Sequence, residues 1–545
     1  MKRYLAHLIH SAEVRVTQFL KNQERNPGNL MYGGMRSAVW EVKPTIYRMA
    51  DAVAVYVNQD SRYYHDETLY QAMLLAMQFV SRTQREDGSF DYPDCNFKSP
   101  ADTAFCFKRL IGAFRLLIKY EKTGAAEELK QIYRRVMISA LPAICEGGFH
   151  TPNHRWALTA ALLQGANLFG QEPEFTDRLK DRARQYLAEG IDFDEDGEYA
   201  ERSAENYNAV VNMALISIYE ETEDQAYLDY IRKNLFTMLH YIDPDDTVFT
   251  ENSTRWDRRE VAFADKYFYQ YLYLCSMADD PVFDAAAHKI IKDNMDRGDM
   301  APECLHIVML YDRMQNYEFK GYGFLESYRK FFRNTGMLRV KRPQYTYTVM
   351  NGNVSFLYFK AGKTQLHWQI GESYCDIRNF IPQNIEEQGT KTVLRGHAEG
   401  WYYLPFEKAP GTSDWSKMDH TKRNRVISSS IDLTVTVEEQ EDGLEVSVKA
   451  EGLDRLPLRV AVCLPPDSIL EQQSFRLKTH AGGNLILREG SVDIHSGDEH
   501  LTFGDGFGEH GFQGYYADPE PNPEEYTLYC NAYTPCEKKL YIKVR

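Results

Sequence analysis

Apolar residues recur every three to four positions in eleven stretches of the first part of the chain, near 2–22, 43–58, 65–83, 102–121, 125–144, 155–169, 174–188, 205–221, 225–241, 260–276 and 281–294. That spacing predicts amphipathic or buried helices. The breaks between them share a grammar: an acidic or Gly-rich turn, an aromatic or extended piece, a polar cap, then an apolar run. "ICEGGFHTPNHRWAL" and "DEDGEYAERSAENYNAVV" show it most clearly. Helices that open in this way start near 102, 155, 205 and 260, about fifty residues apart. A period of that size with two helices per unit signals stacked or ring-closed helical hairpins. "RWALTAALLQGANLFG" is apolar almost all round, as an inner helix must be, whereas "EFTDRLKDRARQYLAEG" has one charged face and suits an outer position.

Beyond Gly336 the period drops to two, with turns at Asn351-Gly352-Asn353 and Ala361-Gly362-Lys363. The expected architecture is an incomplete (α/α) helical toroid over residues 1–335, then an antiparallel β-sandwich over 336–545 with a sub-boundary near 420.

Charge and composition narrow the function. The balance of 63 basic and 79 acidic residues gives −16, which argues against nucleic acid or an anionic membrane as partner. An anionic ligand then requires basic groups gathered in one place. No run of 18 apolar residues marks a membrane span. The first twenty residues read as an amphipathic helix and not a signal peptide, because His7, His10 and Glu13 interrupt them; a cytoplasmic location is expected. Nine scattered cysteines without a CxxC pair predict reduced thiols.

If the inner helices all run the same way, their N-termini and the loops before them converge on one mouth, with backbone N–H groups and positive dipole ends aimed at it. Those loops carry Arg36, Asn153, His154, Arg155, Arg202, Tyr207, Asn252 and Arg255. Each has a plainer reading: Thr151 or Asn153 as helix caps, Tyr207 as a packed first-turn ring, the arginines as solvated or ion-paired groups. On the strand side, His367 in "KTQLHWQIG" occupies a polar face that lines a cleft or meets water. His397 in "LRGHAEGWYY" sits in a Gly-flanked loop beside Trp401 and Tyr402, a sugar-stacking platform or an aromatic corner.

The toroid-plus-sandwich plan resembles the heparinase II/III-like polysaccharide lyases, a group that includes oligo-alginate lyases. Asp196-Gly197-Glu198-Tyr199-Ala200-Glu201-Arg202-Ser203-Ala204-Glu205-Asn206-Tyr207 is similar to the family's "DG…E.S…Y" stretch, and Pro152-Asn153-His154 to its Asn/His segment. The resemblance implies β-elimination on a uronate-containing oligosaccharide or polysaccharide. Tyr207 would be the acid and also a candidate base, Asn153 with His154 or Arg155 would neutralise the carboxylate, and His154, His367 or His397 would be the alternative base. Arg36, Arg155, Arg202, Asn252, Arg255, Trp401 and Tyr402 would bind the acidic glycan. No cofactor is implied for the reaction; a structural divalent cation in the sandwich is compatible with it. Two rivals remain at this stage. A glycoside hydrolase on the same scaffold would need paired carboxylates, drawn from Asp91, Asp94, Asp102, Glu201, Glu205 and Asp257. A non-catalytic glycan-binding protein would need none.

Overall fold

Helices build one unit, Met1–Ile242 with Asp246–Leu325, and strands the other, Glu326–Arg545 with Asp243–Asp245. The computed structural model describes residues 1–170, 172–374, 377–508 and 522–545. The helical toroid followed by antiparallel sheets is the expected fold class.

In the first unit four apolar helices, Lys43–Val57, Pro100–Tyr120, Pro152–Phe169 and Tyr207–Thr222, pack on one another in sequence order. Their more polar partners Glu127–Glu146, Pro173–Ala188 and Gln225–Met238 lie against them. Pro152–Phe169 is buried around almost its whole circumference, and Gly165 permits this, because a Cβ there would lie 2.3 Å from Leu141.

The inner helices share polarity. At one end Lys43 pairs with Asp102 at 2.8 Å, Phe105 meets the His154 ring at 5.7 Å, and Lys266 donates to Asn206 Oδ1 at 3.0 Å. At the other end Arg115 and Asn167 both reach Glu221, at 2.5 and 3.0 Å. Neighbouring N-termini therefore meet, and so do neighbouring C-termini. The expected helix at 260–276 is shorter: a 3₁₀ turn at Ala264–Tyr267 leads into Phe268–Cys275. Two short helices not expected from the pattern, Leu305–Leu310 and Asp312–Gln315, follow.

Cavities lie among these helices. One of about 370 Å³ is lined by Asn206, Lys266, Arg109, Tyr269 and Glu303. A smaller one of about 60 Å³, sharing Arg109 and Tyr269 with it, lies towards the C-terminal ends, where Lys108 and His306 line it. The Lys108 ammonium nitrogen is sealed without a hydrogen-bond partner among the described residues, and burial pulls its pKa down to about 7. A lysine depressed in the folded state destabilises it most at low pH, and that cost fades as pH rises from about 7 towards the ordinary lysine value. Lys108→Met is expected to stabilise the protein by about 1–3 kcal/mol at pH 6, and by less at pH 9, as measured by denaturant titration.

The second unit packs two large sheets over one core that includes Val340, Trp368, Val435, Val460 and Ile542. Among the described residues all pairings are antiparallel except Asn484–Ile486 with Tyr526–Tyr533. The unit starts at Glu326, and its first strand is Tyr328–Phe332, ahead of the boundary expected at 336. No division falls near 420, since Lys391–Tyr403 and Arg425–Gln440 pair along their length in one sheet. The three-residue piece Asp243–Asp245 joins this unit through buried charges. Arg339, fully buried, donates to Asp243 at 2.5 Å and to Thr348 at 2.9 Å, and Lys360 pairs with Asp245 at 2.8 Å.

The eight described cysteines are free, as expected; Cys375 lies outside the described residues. Among the described residues no helix is long and apolar enough to cross a membrane.

Candidate active site at the toroid mouth

Pro152 opens its helix with a fixed φ, and the first free N–H groups then need acceptors. Neither Thr151 nor Asn153 supplies one through its side chain; Thr151 holds the N-cap position without a side-chain cap bond. The acceptor is Glu201, brought from 48 residues away: its Oε2 accepts the Asn153 backbone N–H at 3.1 Å. The Asn153 amide nitrogen, fully buried, donates to both Glu201 oxygens at 2.9 Å and to Thr151 Oγ1 at 2.9 Å. Arg255 Nε completes the set, 3.2 Å from Glu201 Oε1. Burial lifts the Glu201 carboxyl above its ordinary range, against the opposing pull of Asn153 and Arg255.

Tyr207 is the first residue of the next inner helix. The Arg255 guanidinium lies 5.0 Å from the centroid of its ring, and its hydroxyl accepts a hydrogen bond from Trp256 Nε1 at 2.9 Å. Trp256, 60% exposed, is a ring that the sequence reading did not single out. Asn153, Glu201, Arg255, Tyr207 and Trp256 thus form one chain of contacts. It is held by the loops around it: Gly197, at φ +89°, allows a close turn against Lys233 and Thr237. Buried Asp257 accepts from Ser203 at 2.9 Å and Ser253 at 2.6 Å. Thr254 donates through N and Oγ1 to the Glu201 carbonyl at 3.2 and 3.0 Å. The larger cavity begins beside this group, at Asn206 and Lys266, and its volume is in the range of small-molecule sites.

Other expected members are placed differently. Arg155 turns to the end of the adjacent outer helix, donating to Glu189 Oε2 at 2.8 Å, Gly190 O at 2.9 Å and Asp192 Oδ1 at 3.1 Å; it is a buried strut. Asn252 is buried against Tyr241, donating to its hydroxyl at 2.6 Å, and holds a loop. Arg36 pairs with Glu24 at 3.4 Å in the turn after the first helix and touches none of the five. Arg202, held at φ +48°, makes no side-chain hydrogen bond or ion pair among the described residues, so its charge stays available. His154 is half-buried beside Phe105 and His150; burial pulls it down to about 4, so it is neutral at pH 7 and a weak base.

The carboxylates a hydrolase would need are already engaged. Asp91 binds Arg85, Asp102 Lys43, Glu205 Lys266, Glu201 Arg255, and Asp257 accepts from Ser203 and Ser253; Asp94 lies against Tyr92.

In the strand unit His367 neither lines an open cleft nor meets water freely. It is 8% exposed, with Ser355 Oγ 3.1 Å from Nδ1 and Glu525 Oε2 2.8 Å from Nε2. His397 is not in a loop: it sits mid-strand in Lys391–Tyr403, exposed, opposite Asp432, whose Oδ1 is 2.7 Å from Nδ1. That hydrogen bond, with a second to Glu399, raises its pKa. Strand alternation separates Trp401 from Tyr402. Trp401 packs on Tyr403 at 4.7 Å and under Arg425 at 4.0 Å, while Tyr402 is 64% exposed.

No protein-family model matches the sequence, and no curated protein is significantly similar to it. Solved structures are similar over nearly the whole chain. Heparan sulfate lyase HepC from Pedobacter heparinus aligns with a TM-score of 0.53 at 12% identity, covering 98% of this chain and 82% of that one. Heparinase III aligns with 0.57 at 9%, covering 94% and 79%. The Streptomyces coelicolor A3 chondroitin AC lyase aligns with 0.53 at 10%, covering 100% and 80%. The chain has the fold of the toroidal polysaccharide lyases. In this lyase fold Asn153 and Tyr207, expected from the sequence to meet at one mouth, are joined through Glu201 and Arg255.

Proposed function

We propose that the protein is a lyase that cleaves a uronate-containing glycan by β-elimination at the mouth of its toroid. The observation that carries this reading is the contact chain from Asn153 through Glu201 and Arg255 to Tyr207. It sets a proton-transferring hydroxyl beside donors that already grip a carboxylate.

The reaction breaks the C5–H bond of a uronate, forms the C4=C5 double bond and expels O4. The C5 proton is weakly acidic because the neighbouring carboxylate is already negative. Donors aimed at that carboxylate stabilise the dianion that develops. Asn153 and the helix N-terminus are such donors and hold Glu201, and Arg255 adds a positive charge 3.2 Å from the same carboxylate. With its pKa raised by burial, Glu201 takes up a proton more readily and can then hydrogen-bond a substrate carboxylate instead of repelling it. In its phenolate form Tyr207 takes the proton from C5 and then gives it to O4 as the C4–O4 bond breaks, which returns the phenolate. The Arg255 guanidinium lies against the face of the ring, a positive charge beside that anion. Arg202 supplies a further cation for the acidic glycan.

Trp256 offers an exposed ring next to the Tyr207 hydroxyl, suited to stacking on a sugar face. Trp256→Ala is expected to raise KM by about 5–30-fold, from a loss of about 1–2 kcal/mol of stacking, with a smaller change in kcat; steady-state kinetics on one oligosaccharide check this.

Incubation with heparan sulfate, chondroitin sulfate, xanthan and alginate oligosaccharides tests the function. A lyase generates new ultraviolet absorbance from the conjugated uronate. A hydrolase yields reducing ends without it, and a binding protein yields neither; either result overturns the proposal.

A further inference from the structure

A second cluster lies in the strand unit. His367 on strand Thr364–Tyr374 and Cys463 on strand Pro457–Leu464 face each other as a direct cross-strand pair. Glu525 approaches from the segment just before Tyr526–Tyr533, the strand on the other side of Cys463. One imidazole nitrogen, the thiol sulfur and one carboxylate oxygen all lie within 4.8 Å of one another. Both strand residues are buried, and the Glu525 side chain is one-quarter exposed.

The surroundings resolve which atoms face inward. Ser355 Oγ sits 3.1 Å from His367 Nδ1, and Gln369 in turn donates to Ser355 at 2.8 Å, so Nε2 is the nitrogen turned to Glu525. An imidazole oriented through its far nitrogen by a hydrogen-bonding neighbour is the arrangement that metal-binding histidines use. Tyr358 stacks on the same ring with centroids 5.6 Å apart and limits its rotation. The Cys463 sulfur has Thr527 Oγ1 at 3.8 Å as a weak partner.

We propose that His367 Nε2, Cys463 Sγ and a Glu525 oxygen form a zinc site. The mix of thiolate, imidazole and carboxylate matches zinc, which takes four ligands at about 2.0–2.3 Å; a hard cation such as calcium or magnesium would call for oxygen donors throughout. Three protein ligands leave the fourth place to water on the side where Glu525 is open. Binding displaces the thiol proton and the Nε2 proton donated to Glu525; the imidazole then carries its remaining proton on Nδ1, facing Ser355 Oγ, and the zinc takes the place of the His367–Glu525 hydrogen bond. The bound ion ties two neighbouring strands to the approach of a third, so its role is structural. The inference does not depend on the lyase reading.

The test uses the full chain, stripped with chelator and reloaded with zinc, then with cobalt. One zinc per chain after dialysis is expected. Removal should lower Tm, and cobalt should show a thiolate-to-metal charge-transfer band in the near ultraviolet. Cys463→Ser should lose that band and His367→Ala the stoichiometric metal, with the circular dichroism of the folded protein retained. If either variant fails to fold, Glu525→Gln, at the most exposed ligand, replaces it and should weaken zinc retention on dialysis. Sub-stoichiometric zinc in the folded wild type, a Tm indifferent to chelator, or an unchanged cobalt band in Cys463→Ser overturns the site and leaves a hydrogen-bonded triad.

Discussion

Tyr207→Phe is expected to lower kcat by about 10²–10⁴-fold, the range of a lost general acid–base group, and to leave Tm within about 1 °C of the wild type. The two halves of that result have separate causes. The phenol oxygen is the proton carrier assigned to both C5 and O4, so its removal leaves no group at that point to shuttle the proton. Its single described hydrogen bond comes from Trp256 Nε1. Because Trp256 is mostly exposed, its indole N–H turns to water when the hydroxyl is gone, and stability is spared. A variant that retains turnover would place the proton transfer elsewhere; one that loses Tm would make the defect one of folding. Kinetics by ultraviolet absorbance and a thermal melt on the same preparation distinguish these.

Asn153→Ala should act on both quantities. Turnover is expected to fall by about 10²–10³-fold, as for removal of one donor from a site where negative charge develops. Stability should fall as well, by about 1–3 kcal/mol, because the Glu201 carboxylate loses its amide donor while staying buried. The pH dependence has a defined sign. Burial already raises the Glu201 pKa in the folded state. A carboxyl so raised binds its proton more tightly folded than unfolded, so stability falls as pH climbs from the ordinary glutamate value through the folded one. Loss of Asn153 raises the folded pKa further. The variant's deficit should therefore be small near pH 4.5, where Glu201 is protonated, and larger at pH 8. Urea titrations at the two values measure it, and a deficit independent of pH would remove Glu201 from the explanation.

The toroid was legible because each inner helix announces itself by a turn, a cap and an apolar run, and one polarity for all of them brings Asn153, Tyr207 and Arg255 to one mouth. Glu201 was legible only as a carboxylate in a motif. Its task, accepting at the start of a helix 48 residues earlier, depends on tertiary placement that no local pattern encodes. Arg155 illustrates the same limit: beside Asn153 it reads as a ligand-binding cation, and only the position of Glu189 and Asp192 at the end of the next helix makes it a strut. His397 was misplaced for a local reason. Glycines at 396 and 400 read as loop residues, yet Gly396 lies within a paired strand, and glycine stands there because a Cβ would come 2.7 Å from Phe380. The residues of the proposed zinc site, spread over three segments between 367 and 525, leave no spacing signature at all.

Asp243–Asp245 carries a consequence for anyone who wishes to divide the protein. A fragment beginning at residue 326 would keep Arg339 sealed among strands while discarding the aspartate that neutralises it. A guanidinium cannot shed its proton to escape that situation. The isolated C-terminal piece should therefore express poorly unless Arg339 is replaced by an apolar residue, and the chain is better handled whole.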